Sequence, residues 1–156
     1  MTSAPVGAAT GQSRGVKPLR ASDIPVGARA SFSKTITPAD LAFYGGISGD
    51  FNPLHVNEEY ARTTTIGGRL VYELVVAALL STVLGRVSGP GFRWQRHMLE
   101  FPRPVRLGDT LLASAEVVER SPDTGTIRCR TECRNQRGEV VVEGSADLVS
   151  VLPPAK

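Results

Sequence analysis

A single α+β domain is predicted for this chain by three observations. One long segment is apolar nearly all round, a series of strand-like segments separated by turn residues follows it, and a sharply turned Asp/His segment precedes it. A helix without a polar face must be surrounded by other structure. Strands joined by short turns favour antiparallel pairing. Together they describe a helix held against an antiparallel sheet, an arrangement in which both bury their apolar sides. A length of 156 residues suits one domain whose core needs neither disulfide nor metal.

In chain order, residues 1–22 are expected to form a flexible tail, residues 23–152 the domain, and residues 153–156 a short C-terminal tail. Met1 to Gly15 is rich in Ala, Gly, Ser and Thr and lacks the continuous apolar stretch of a secretory signal. Ala28 to Ser33 alternates weakly and reads as a strand. Thr37-Pro38-Ala39-Asp40 is a helix start, with Thr37 as N-cap, Pro38 in the first turn and Asp40 near the positive end. That helix carries Leu41, Phe43 and Tyr44 before Gly45-Gly46 weaken it. Asn57 can cap a second, short helix through Ala61. Gly67-Gly68 then breaks the chain ahead of Arg69 to Leu84, the apolar helix.

The strands follow. Phe92 to Phe101 is strand-like, and Pro102 and Pro104 stop regular pairing or confine it to an edge. Leu111 to Glu119 leads through the turn Ser121-Pro122-Asp123-Thr124-Gly125 into Thr126 to Arg134. There Ile127, Cys129, Thr131 and Cys133 alternate with Arg128, Arg130, Glu132 and Arg134. Asn135-Gln136-Arg137-Gly138 turns the chain into a last strand, Glu139 to Val151.

Charge and cysteine content exclude several classes. With 18 Lys plus Arg against 15 Asp plus Glu, the net charge of +3 is too mild for a nucleic-acid partner. Arg93, Arg96, Arg103 and Arg106 could serve an acidic cofactor or carrier protein, and ordinary solvated charge explains them equally well. Cys129 and Cys133 lie on one side of a strand with about 13 Å of rise between them, too far to bridge. With two histidines in the chain they make a poor metal site, so free thiols in a reducing compartment and no bound metal are expected. The longest uncharged apolar run, Leu74 to Gly85, is too short to span a bilayer. A soluble, cytoplasmic protein is the reading that follows.

The candidate site is Gly49-Asp50-Phe51-Asn52-Pro53-Leu54-His55. Asn52 precedes a proline and is pushed toward extended geometry, so Asp50 and His55 cannot lie along one helix face and the backbone must turn between them. A carboxylate and an imidazole brought together in this way can share one water as acid and base. A capping Asp beside a satisfied surface His fits the spacing too. Asn52 is expected to fix the turn through its side chain, and Gly49 to adopt a conformation other residues resist. His97 lacks such a context and reads as an ordinary strand histidine.

The stretch from Tyr44 to Asn57, with its Ser48-Gly49-Asp50-x-Asn52-Pro53-x-His55 core, and the later Pro104-Val105-Arg106-Leu107-Gly108-Asp109-Thr110-Leu111, resembles the MaoC-like hydratases, which include (R)-specific enoyl-CoA hydratases. The resemblance covers roughly residues 30 to 151. It implies a hot-dog fold, a long central helix wrapped by a curved antiparallel sheet, and a reaction that adds water to a 2-enoyl thioester or removes it from an (R)-3-hydroxyacyl thioester. Asp50 and His55 take the catalytic positions, with Asn52 supporting. No organic cofactor or metal is implied, because the thioester itself acidifies the Cα proton; coenzyme A or the phosphopantetheine of an acyl carrier protein enters as part of the substrate. A homodimer formed by joining sheet edges is the family's usual assembly.

One departure from the pattern stands out. Where such hydratases typically carry His-Gly at the start of the central helix, this chain has Tyr72-Glu73. The glycine N–H is taken to hold the thioester carbonyl in the family, so Tyr72 and Glu73 are assigned to substrate binding. Glu73 keeps an N–H but adds bulk and negative charge where electron density accumulates. Three readings compete: Glu73 turned away, pairing with Arg69 one turn earlier; Glu73 inside the pocket as a further acid/base, as in a thioesterase or a specialised isomerase or cyclase; or a non-catalytic acyl-binding subunit.

Overall fold

A computed structural model describes residues 17–153. After a short 3₁₀ turn at Ala21–Asp23, the elements are β1 (Arg29–Thr35), α1 (Pro38–Ser48), α2 (Pro53–Val56), α3 (Glu58–Arg62), α4 (Glu73–Ser88), β2 (Phe92–Glu100), β3 (Thr110–Ser121), β4 (Thr126–Arg134) and β5 (Val140–Ser150). The five strands form one antiparallel sheet in the order β1-β3-β4-β5-β2. The long helix α4 packs across β1, β3 and β4, giving the expected α+β hot-dog arrangement.

Alternation along each strand sorts its side chains. On β4 the expected inner row, Ile127, Cys129, Thr131 and Cys133, is buried, and Leu111, Ala113, Ala115 and Val117 of β3 join it beneath Leu80, Val83 and Leu84 of α4. The outer row is charged: Glu116 accepts from both Arg29 and Arg130, and Arg128 reaches Asp147 at 2.7 Å. These exposed pairs contribute little to stability, whereas the inner row is the core.

Several expectations are corrected. The central helix runs from Glu73 to Ser88 rather than from Arg69 to Leu84. Residues 69–71 are held extended instead, because Leu70 bridges Arg106 and the Val71 N–H donates to the Val105 carbonyl at 2.9 Å. Nor is the helix buried all round: Leu74 is 57% exposed, and Ala78, Ser81 and Gly85 continue an open stripe one, two and three turns on. β2 lies at a sheet edge, as the prolines after it suggest. It crosses to the far edge and pairs with β5, leaving β3-β4-β5 as the consecutive hairpins, with Pro102 and Pro104 in the crossover.

The domain also begins before residue 23. Ala21 is buried in the core, the Leu19 N–H donates to the Pro90 carbonyl at 2.8 Å, and Arg20 donates to the Pro153 carbonyl at 2.8 Å, so residues 19–22 are packed rather than a tail. The rest of that expected tail up to residue 16, and residues 154–156, lie outside the described residues. α1 passes through Gly45-Gly46 without breaking and ends at Gly49, whose φ of 71° is the left-handed C-cap conformation that glycine adopts without strain.

The Pro104-to-Leu111 segment braces the start of α4. Asp109, itself buried, accepts the Arg106 N–H at 2.9 Å and the Gln136 side-chain amide at 2.7 Å, while its carbonyl takes the Ile36 N–H. This locks the end of β1, the β2–β3 connection and the β4–β5 turn into one corner. Leu84, fully buried on α4, should cost about 2 to 5 kcal/mol of unfolding free energy when changed to alanine, because a cavity remains where the sheet cannot follow. Denaturant unfolding of Leu84→Ala checks this; a loss below about 1 kcal/mol would contradict the burial.

Candidate active site

The Asp50–His55 segment folds as two successive side-chain turns. Asp50 lies in the loop after α1, where its Oδ1 accepts the Asn52 N–H at 3.0 Å and its own N–H donates to Ser48 Oγ at 3.1 Å. Asn52 Oδ1 then accepts the Leu54 N–H at 3.0 Å and caps α2, with Pro53 at the first helical position. The capping Asp of the blander reading is not found: Asn52 caps α2, whereas Asp50 makes a side-chain turn through one oxygen only, Oδ2 has no partner among the described residues, and Asp50 is exposed.

His55 is the opposite case, buried to 6% exposure on α2. Its Nδ1 lies 2.9 Å from the Leu70 carbonyl oxygen, which can only accept. The ring proton therefore sits on Nδ1, and Nε2 carries the lone pair of a base. One face of the ring stacks on Tyr72, with centroids 4.0 Å apart and planes 26° from parallel. The Tyr72 hydroxyl in turn donates to the Asp50 carbonyl oxygen at 2.6 Å, and Tyr44 packs against the Tyr72 ring at 4.7 Å. Burial, then the nearby Asp50 carboxylate and Tyr44, push the Tyr72 phenol above its ordinary value, so it is a donor and not a phenolate.

Tyr72 is the N-cap of α4 and its carbonyl accepts the N–H groups of Val75 and Val76. The N–H groups of Glu73 and Leu74 have no acceptor among the described residues, and they point from the positive end of a helix of 16 residues. Glu73 itself is exposed and forms no ion pair among the described residues. It borders a mostly apolar cavity of about 210 Å³ walled by Ile66, Leu70, Phe101, Val105 and Val142, with Arg103 also on the rim; neither Asp50 nor His55 lines it. The expected Glu73–Arg69 pair does not form, because Arg69 precedes the helix and faces Glu58 at 3.7 Å instead.

Thus Asp50, Asn52, His55 and Tyr72 come together as one cluster, and Glu73 adjoins it through its backbone. His97 stays apart: Nε2 lies 3.1 Å from Thr131 Oγ1, Trp94 meets it edge-on at 4.9 Å, and burial pushes its imidazole below the ordinary value. Two contributors were not legible in the motif. The Leu70 carbonyl leaves no side-chain signature, and the Tyr44–Tyr72 stack had for a signal only two tyrosines flanking the segment.

Comparison with known proteins identifies the family. The model of the MaoC like domain matches residues 23–138. The chain is 41% identical over 135 residues to an (R)-specific enoyl-CoA hydratase of Rhodospirillum rubrum, covering 86% of this chain and 91% of that protein. It is 38% identical over 130 residues to a 3-hydroxybutyryl-CoA dehydratase of Methylorubrum extorquens, covering 83% and 82%. Among solved structures, the R-hydratase of Pseudomonas aeruginosa in its unliganded form superposes with a TM-score of 0.78 at 33% identity, covering 90% of this chain and 97% of that one.

Because Asn52 supplies the cap from which His55 is presented, Asn52→Ala should lower stability by about 1 kcal/mol and speed hydrogen exchange at the Leu54 amide. Amide exchange followed by NMR, beside a denaturation curve, measures both; an equally protected Leu54 amide would show that the cap is not what holds the turn.

Proposed function

The chain belongs to the MaoC-like domain family, and on that premise we propose that it is a hydro-lyase that adds water reversibly to 2-enoyl thioesters and, in reverse, dehydrates (R)-3-hydroxyacyl thioesters. The observation that carries the reading is the joining of three functions by Tyr72: an exposed carboxylate, an imidazole with a free Nε2, and the open N–H groups of a long helix.

In hydration, Asp50 and His55 act on one water. A base lone pair takes its proton as the oxygen bonds to Cβ, the double-bond electrons move toward Cα and the thioester carbonyl, and a proton is returned to Cα. The Glu73 and Leu74 N–H groups receive the enolate-like charge on the carbonyl oxygen, fixed before the reaction begins. Dehydration runs the same steps backwards. Asn52 supports the loop, and the thioester supplies the acidity of Cα, so the reading calls for no separate cofactor or metal. Coenzyme A or a carrier-protein phosphopantetheine is the substrate's handle. The exposed Glu73 favours a side chain turned out of the site with its N–H retained.

We take the protein to be a homodimer in the cytoplasm. Support for the dimer comes from β2, an edge strand with Trp94 and Met98 exposed, and from the open stripe on α4. No helix among the described residues is long and apolar enough to cross a membrane.

Crotonyl-CoA tests the activity directly: its conjugated absorbance should fall when the protein is added, and release of free thiol instead would identify a thioesterase. Asp50→Asn and His55→Ala should each lower kcat at least about a hundredfold with the fold intact, and their effects should not add fully. Activity retained in both would sink the mechanism.

Glu73 allows a separate test. Glu73→Gln should leave hydration unchanged or raise it, since only charge near the carbonyl is removed, and Tyr72→His with Glu73→Gly should still hydrate. Loss of turnover in Glu73→Gln, with an unchanged melting curve, would assign the carboxylate a chemical role instead.

A further inference from the structure

Tyr72 touches both ends of the Asp50–His55 segment. Its hydroxyl holds the Asp50 carbonyl at 2.6 Å and its ring covers the His55 imidazole at 4.0 Å, although the segment between them turns through exposed Phe51, Asn52 and Pro53. The side chain is 2% exposed, so its orientation is set by packing. Tyr44 lies on the ring, and Gly45 leaves room for the hydroxyl: a Cβ there would stand 3.2 Å from the phenol oxygen and 3.6 Å from the Asp50 carbonyl oxygen. The same residue opens α4 and leaves the next two N–H groups free.

Substrate therefore does not meet the Tyr72 hydroxyl, which is already engaged and buried. We infer that Tyr72 is a positioning residue that holds the Asp50 loop and the His55 ring in fixed relation to the N–H groups of Glu73 and Leu74. It does so where similar hydratases typically carry the histidine of His-Gly, so the departure in this chain is a brace built from a phenol. The inference rests on the hydratase reading for its effect on rate, while the brace itself is measurable without turnover. Acid/base catalysis depends on geometry so steeply that a displacement of about 1 Å costs about a hundredfold.

Three variants separate the parts. Tyr72→Phe keeps the stack and removes the tie to Asp50; Tyr72→Leu removes both; Gly45→Ala crowds the hydroxyl from the helix side while raising helix propensity. We expect kcat on crotonyl-CoA to fall about tenfold in Tyr72→Phe and about a hundredfold in Tyr72→Leu, with KM within about twofold. Gly45→Ala should lower kcat severalfold at unchanged KM. In the same Tyr72→Phe protein, hydrogen exchange at the Asn52 and Leu54 amides should quicken at least about fivefold, since both amides bond within the loop that the hydroxyl anchors.

Unchanged exchange in Tyr72→Phe overturns the brace. Faster exchange with an unchanged kcat overturns the positioning role, and a raised KM with kcat intact would make Tyr72 a substrate contact instead. A wild-type protein that leaves crotonyl-CoA untouched sinks the hydratase reading, and the exchange measurement still decides whether Tyr72 holds the loop. Should Tyr72→Phe not fold, Gly45→Ala carries the same decision: kcat and loop exchange both unchanged would overturn the inference.

Discussion

Leu70 is the suture on which the site depends. Its N–H donates to the Leu54 carbonyl at 3.0 Å, and its carbonyl receives His55 Nδ1 at 2.9 Å, so one extended residue grips the turn of α2 from both sides. It can do this only because residues 70–71 are tied to Val105 and Arg106, which the buried Asp109 corner holds in turn. Each link is a backbone group satisfied away from water, where a missing partner costs more than a present one gains. The imidazole's tautomer is thereby set by a backbone carbonyl.

This arrangement divides the proposed acid/base pair by environment. His55 is buried, oriented and stacked, whereas Asp50 is exposed and restrained by its own loop. The buried partner sits on a helix and the exposed one on a turn, and a tyrosine at the head of the next helix spans the difference. Loops can carry function in this manner when a scaffold fixes their ends. The Glu73 carboxylate stands at the start of α4 and borders a cavity that neither Asp50 nor His55 lines, and an acidic side chain there suits the positive end of a helix.

Much of this was legible in the residues themselves, because local chemistry decides it. Asn52-Pro53 forces the turn between Asp50 and His55, Thr37 and Asn57 cap the helices that follow them, and the alternation of β4 survives intact. What escaped was decided at a distance. Leu70 and Val71 are apolar and adjoin a helical pattern, so their extended path follows only from pairing with residues 105–106, some 35 positions along the chain. Likewise, the prolines after β2 announce an edge but not which one. The stack of Tyr44, Tyr72 and His55 joins three elements, and no spacing within any one of them encodes it.

The two thiols on the inner face of β4 make the native state chemically quiet. Burial, with Asp147 beside one and Glu132 beside the other, pushes Cys129 and Cys133 up to about 12, leaving almost no thiolate at neutral pH. Alkylating reagents and oxidants act on the thiolate, so these cysteines are shielded for as long as α4 stays on the sheet. Their modification rate in the native protein is then a clock for opening of the core, slow where the sheet is intact and fast once it parts. A protein with no disulfide to hold it together thus carries its own internal reporter of coming apart.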